Sequence, residues 1–173
     1  MLVSTPFTRR YLPPVGTSSS LPRDRSPTRR ERDDAPVLAA VDASASGAAV
    51  AGTAIAAAER LGAPIVFVYV RRGPSSILGE PYYQRRLDAE IFAAKRALGT
   101  ALAAAERAGV AASGEELGGS PARRLVAFAR LRGARLVVLG SRRRRFGRSV
   151  SRSVIRASDR PVLVAGASAT AIA

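Results

Sequence analysis

The sequence predicts an α/β fold whose parallel sheet is covered by helices on both faces, and three observations carry that expectation. Four short runs, VLAAV (37–41), PIVFVYV (64–70), RLVVLG (135–140) and PVLVA (161–165), are apolar apart from the leading Arg135, as strands buried on both sides must be. Segments of helical periodicity separate them, so strands and helices alternate along the chain. A fifth, weaker strand at Val110–Leu117 completes the order β-α-β-α-β-α-β-α-β.

Each element has its own local signal. Residues 1–34 hold five prolines and five serines and show no apolar periodicity. Such a leader cannot offset its ordering entropy by burial and is expected to be disordered. It carries seven arginines against four acids, so it is mildly basic. The folded domain is expected over 35–167, with 168–173 as a short tail. After VLAAV, DASAS opens an alanine-rich helix that runs to Leu61 and stops at Gly62. PIVFVYV is β-branched and aromatic, and 71–81 is a loop holding Gly73, Pro74, Gly79 and Pro81. Leu87, Ile91, Ala94, Leu98 and Leu102 recur at helical spacing and predict an amphipathic helix over 82–108. Ser120-Pro121 places an N-cap before a proline at the first helical position. That helix buries Leu125, Phe128 and Ala129 and gives way at Gly133. Ser149–Ser158 is a short helix with Val150 and Val154 on one face.

Composition removes whole classes of chemistry. The chain has no cysteine and no histidine. Disulfides, thiolate metal sites, Ser-His-Asp and Cys-His catalysis and imidazole bases are all excluded. The formal net charge is +15 and Lys95 is the only lysine, so the basicity is guanidinium, which forks onto phosphate. Anionic partners are expected. No apolar run approaches the roughly 20 residues of a membrane span, and no secretory signal is seen, so a cytoplasmic location is expected.

In their order, AVDASASGAA, PIVFVYV, VVLGS and SVSRSVIRASDRPVLVA resemble the universal stress protein family of small α/β proteins, over about residues 36–166. The resemblance implies an adenine nucleotide alpha hydrolase-like sheet of strand order 3-2-1-4-5. It implies a stress-response or regulatory role without catalysis. Many members bind ATP or a related adenine nucleotide and others bind none; Mg is implied only if ATP is bound. It also implies a homodimer, here through the Pro161–Ala165 edge strand.

In that strand order the first and fourth strands are neighbours, and their diverging loops open a crevice. The resemblance puts Asp42 against the nucleoside and the backbone of Val70 against adenine. Read bottom-up, Asp42 either accepts from ribose hydroxyls or caps the alanine-rich helix with Ser44 and Ser46. Gly140, Ser141, Arg142, Arg143, Ser149 and Val150 bound the phosphate end. Nucleotide-binding members show G-x-x-G, nine residues, then G-S or G-T. Here Arg143 and Arg148 stand at the second and third glycine positions, and Ser149 follows Gly140 too soon. Glycines let backbone N–H groups close on phosphate; their loss leaves two readings. Either arginine side chains hold an anion beside the helix N-terminus, or 142–148 is a solvated basic loop above a vestigial site, available to protein or nucleic-acid partners. Arg152, Arg156 and Arg160 stripe one face of the last helix and its exit, a phosphate-driven nucleic-acid footprint or simple surface charge. Tyr82 and Tyr83 either cover a ligand or pack on the core. The acids Asp88, Glu90, Glu115 and Glu116 isolate no acid–base pair, and no metal constellation is evident.

Overall fold

The structure is a computed structural model describing residues 35–72, 79, 82–141 and 149–166. The leader, the C-terminal tail, most of the 71–81 loop and the arginine run 142–148 lie outside the described residues. The elements are β1 (Val37–Ala40), α1 (Ala45–Leu61), β2 (Ile65–Arg71), α2 (Tyr82–Arg107), β3 (Ala112–Gly118), α3 (Pro121–Leu131), β4 (Leu136–Gly140), α4 (Val150–Ala157) and β5 (Val162–Ala165). All strand pairs are parallel and the order is β3-β2-β1-β4-β5. Central Val37 sits opposite Ile65 on one side and Leu136 on the other.

Successive strand residues point to opposite faces, so each strand feeds two cores. Val37, Ala39, Ile65, Phe67 and Val138 pack under α1 and α2. Leu38, Val66, Val68, Val137 and Leu139 pack under α3 and α4. This is why four of the strands read as apolar runs. Ala51, Ala54 and Ala58 are buried on α1, whose short side chains let it lie close to the sheet. The helix stops at Gly62, which takes a left-handed conformation (φ 59°) while the Ala63 N–H donates to the Ala58 carbonyl.

Two expectations shift. The third strand begins at Ala112, not Val110, because the end of α2 uses those residues: Gly109 is left-handed (φ 69°) and Val110 N–H donates to the Ala105 carbonyl at 3.0 Å. In α2 the first buried residue is Ala94. A 26-residue helix spans about 39 Å, whereas the seven-residue β2 and β3 span about 23 Å. Its first three turns therefore overhang the sheet. Tyr82 is 68% exposed, so the expected packing of the helix start on the core does not occur there.

At the opposite corner, the Arg130 guanidinium donates to the Ala157 carbonyl (3.1 Å) and lies 3.3 Å from the Asp159 carboxylate. Desolvation pulls the Asp159 carboxyl upward, but a backbone hydrogen bond, Arg130 and Arg160 outweigh it and hold the group below the ordinary carboxylate range. The small stabilisation this implies is present above the ordinary carboxylate pKa and is lost as pH falls through the lowered one. Arg160 itself lies beyond the end of α4, 3.8 Å from Asp159, with its Nε buried and unbonded. Exposed Arg152 and Arg156 thus lie on α4 and Arg160 at its exit, as their spacing predicts.

Helix α4 depends on one fully buried side chain, Val154. Val154→Ala should cost about 2 kcal/mol, whereas Ile155→Ala, at a site 51% exposed, should cost under about 0.5 kcal/mol. Urea unfolding monitored by circular dichroism measures both.

Candidate functional site

The loops after β1 and β4 leave in opposite directions, and a cavity of about 280 Å³ opens between them at the C-terminal end of the sheet. Its walls include Asp42, Val70, Gly140, Ser149 and Val150, so five of the eight predicted site residues meet in one crevice. Ser141 is exposed outside it, and its N–H continues the sheet by donating to the Ala165 carbonyl at 3.0 Å. Arg142 and Arg143 lie outside the described residues.

Asp42 stands two residues past the end of β1. Its carboxylate accepts from the Ser44 N–H at 2.9 Å and from the Ser44 hydroxyl, whose oxygen is in turn 2.7 Å from that of Ser46. The capping expectation is therefore corrected. Ser44 is the N-cap of α1, and its side chain caps no backbone N–H. Asp42 instead orders the turn from upstream, and Ser46 is inside the first helical turn. The aspartate is held at the crevice by its own loop.

This turn rests on a glycine that the sequence reading passed over. A β-carbon on Gly47 would lie 2.1 Å from the Asp42 carbonyl oxygen, far inside contact distance. At Gly140 a β-carbon would meet Val50 Cγ2 at 3.3 Å. The two glycines let the start of α1 settle onto the ends of β1 and β4, and Val50, Val68 and Leu139 supply apolar wall behind the polar rim.

The phosphate side is built by helix starts. Ser149 is the N-cap of α4, accepting from Arg152 N–H at 3.4 Å, and its oxygen is 2.7 Å from the Ser151 hydroxyl. Pro121, at the first position of α3, faces the same space. Both helices thus aim their positive dipole ends at the crevice. At the other end, Arg71, Arg72 and Glu90 add charge to the wall, and Arg71 pairs with Glu116 at 2.8 Å. Glu115 instead faces Arg132 at 3.7 Å, so the two adjacent glutamates serve separate ion pairs. No group of acids suited to hold a metal ion occurs among the described residues, and no helix among them is long and apolar enough to cross a membrane.

The universal stress protein family model matches residues 35–166, which is all of this sheet and its helices. The chain belongs to the universal stress protein family. Solved structures agree. A universal stress protein family member from Burkholderia pseudomallei is 28% identical, with a TM-score of 0.63 over 76% of this chain and 96% of that one. The universal stress protein from Archaeoglobus fulgidus in complex with dAMP is 27% identical, with a TM-score of 0.59 over 75% and 96%. UspA from Lactobacillus plantarum, 23% identical, shares the fold with a TM-score of 0.66 over 76% and 97%. Among curated proteins none matches.

For this universal stress protein, sequence reasoning missed Gly47, the Arg71–Glu116 pair and the Glu90 wall. Only Gly47 had a local signal, closing the DASASG turn that Asp42 opens. Gly47→Ala should destabilise the protein by about 2 kcal/mol or more through the clash with Asp42. Gly52→Ala, in the same helix with open space around it, should stabilise by about 0.5–1 kcal/mol. Thermal melts of the two variants should move in opposite directions.

Proposed function

We propose that this universal stress protein binds an adenine nucleotide in the β1–β4 crevice and acts as a non-catalytic regulatory protein. The observation that carries the reading is the meeting of Asp42, Val70, Gly140, Ser149 and Val150 around one cavity. The dAMP-bound relative at 27% identity supports the ligand class. The wall chemistry suits it. A carboxylate offers about four acceptor sites, so the turn that orders Asp42 leaves it able to take ribose hydroxyls. The β2 backbone at Val70 borders the base. Ser149, Val150 and the first turn of α4 offer a hydroxyl and N–H groups to phosphate. Arg142 and Arg143, following Ser141 in sequence, replace the missing glycine-borne N–H groups with bidentate guanidinium. Magnesium would arrive with a triphosphate and be held mainly by its oxygens. Hydrolysis is not part of the reading.

Protein purified without added nucleotide, then denatured, should release ATP, ADP, AMP or cyclic AMP detectable by mass spectrometry. An empty supernatant together with no thermal shift in millimolar ATP would sink the reading. Asp42→Asn should weaken adenosine and ATP alike, by about 10-fold, the worth of a hydrogen bond to a charged group. Arg143→Ala should weaken ATP by a similar factor and leave adenosine unchanged; calorimetric titration distinguishes the two patterns.

A second reading concerns assembly. β5 is an edge strand, and both Leu163 and Val164 on it are exposed although apolar. An open apolar edge suits pairing with the same edge of a second copy. Leu163→Lys should convert a dimer to a monomer in light scattering coupled to size exclusion; an unchanged mass would remove the edge from the interface.

A further inference from the structure

The two helical layers of the sheet differ in charge. α1 and α2 carry six cations and four carboxylates: Glu59, Asp88, Glu90 and Glu106 interleave with the basic residues. α3 and α4 carry five arginines, Arg123, Arg124, Arg130, Arg152 and Arg156, and no carboxylate at all. A bias of composition alone would load both layers alike. We propose that the α3–α4 layer is a docking face for the phosphate backbone of double-stranded nucleic acid, independent of the nucleotide crevice.

The arginines form one surface because α3 and α4 pack side by side, each leading into a parallel strand. Arg123, Arg152 and Arg156 are exposed, and none of them makes an ion pair among the described residues. The carboxylates that reach this layer lie at its edges and are already paired: Asp159 is shared by Arg130 and Arg160 at 3.3 and 3.8 Å, and Glu115 faces Arg132, just past α3, at 3.7 Å. The rest of the face holds uncompensated guanidinium, whose planar fork matches phosphate oxygens. The partner is a polyanion, since several fixed positive charges spread over two helices need several negative ones to meet them.

Duplex is favoured over single strand by what the face lacks. Single-stranded binding leans on aromatic platforms for the bases. The only aromatic residue of α3 and α4, Phe128, is buried beneath Arg132, whose guanidinium lies 5.6 Å from the ring centre. The exposed apolar residues, Leu131 and Ile155, offer no stacking plane. Contacts would therefore be to backbone, without sequence preference.

Fluorescence anisotropy of the full chain with a labelled, mixed-sequence 20-base-pair DNA tests this. With about three phosphates engaged, affinity should fall about 40-fold between 50 and 200 mM salt. The triple variant Arg123→Ser/Arg152→Ser/Arg156→Ser should bind at least about 10-fold more weakly at low salt and lose most of that salt dependence. Its charge-matched control on α2, Arg85→Ser/Arg86→Ser/Arg96→Ser, should stay within about two-fold. The same three α3–α4 positions changed to lysine should retain the salt slope, and single Arg152→Ser should lower it by about one, which keeps the test valid if the serine triple melts early. Equal losses from both triples would overturn the proposal, because net charge alone would then explain binding. So would tighter binding of a 20-nucleotide single strand, inorganic polyphosphate or phosphatidylglycerol vesicles than of duplex. Binding abolished by serine at Arg142–Arg145 but untouched by the α3–α4 triple would overturn it as well.

Discussion

A carbonyl oxygen stands almost where a side chain would begin. The absent β-carbon of Gly47 would sit 2.1 Å from the Asp42 carbonyl, and this backbone-to-backbone approach sets the height of α1 over the end of β1. From that height follow the packing of Val50 against Gly140 and the short chain of hydroxyls from Asp42 through Ser44 to Ser46. A parallel sheet wound outward from its middle must open somewhere, and it opens where β1 and β4 part. The glycine contact decides that the opening is a walled crevice with an ordered carboxylate at its edge.

Much of this was legible in the sequence, for physical reasons that differ from element to element. PIVFVYV and RLVVLG are buried on both faces, so hydrophobicity alone marks them, and the order of strands followed from the alternation together with the family resemblance. Gly62 and Gly133 mark helix ends because left-handed backbone favours glycine there. The boundary of β3 was less legible, since the end of α2 borrows Val110 for its own hydrogen bonding. Overhang is invisible to periodicity: Leu87 and Ile91 continue the stripe of Ala94 and Leu98, but whether a sheet lies under them depends on strand length. The crevice residues Asp42, Gly140 and Ser149 were readable as strand ends and a cap. Arg71 and Glu116 were not, because an ion pair between elements far apart in sequence leaves no local trace.

The arginines divide along the same line. Those at Arg71, Arg130 and Arg132 have carboxylate partners and tie elements together at modest benefit, as partly exposed pairs do. Arg123, Arg152 and Arg156 have none among the described residues. A surface helix usually mixes signs, since opposite charges a turn apart stabilise it and like charges repel. α3 and α4 forgo that stabilisation along their whole length, with no acid in the first turn of either. Local helix energetics do not account for such a face, whereas a polyanionic partner would.

Both the crevice and the basic layer trace to the handedness of the chain. Crossovers between parallel strands run their helices antiparallel to the sheet, so the N-termini of α3 and α4 arrive together at the C-terminal ends of the strands. Pro121 and Ser149 consequently border one cavity. The free N–H groups of both first turns and the two dipoles favour an anion there before any side chain contributes. Glycines in the loop after β4 would add further N–H groups to this set; arginines add charge instead. Guanidinium reaches farther than backbone and tolerates a shorter loop, but it is more readily screened by salt. On the proposed reading, the arginines that follow β4 in sequence would meet phosphate by charge where glycines would meet it by backbone N–H groups.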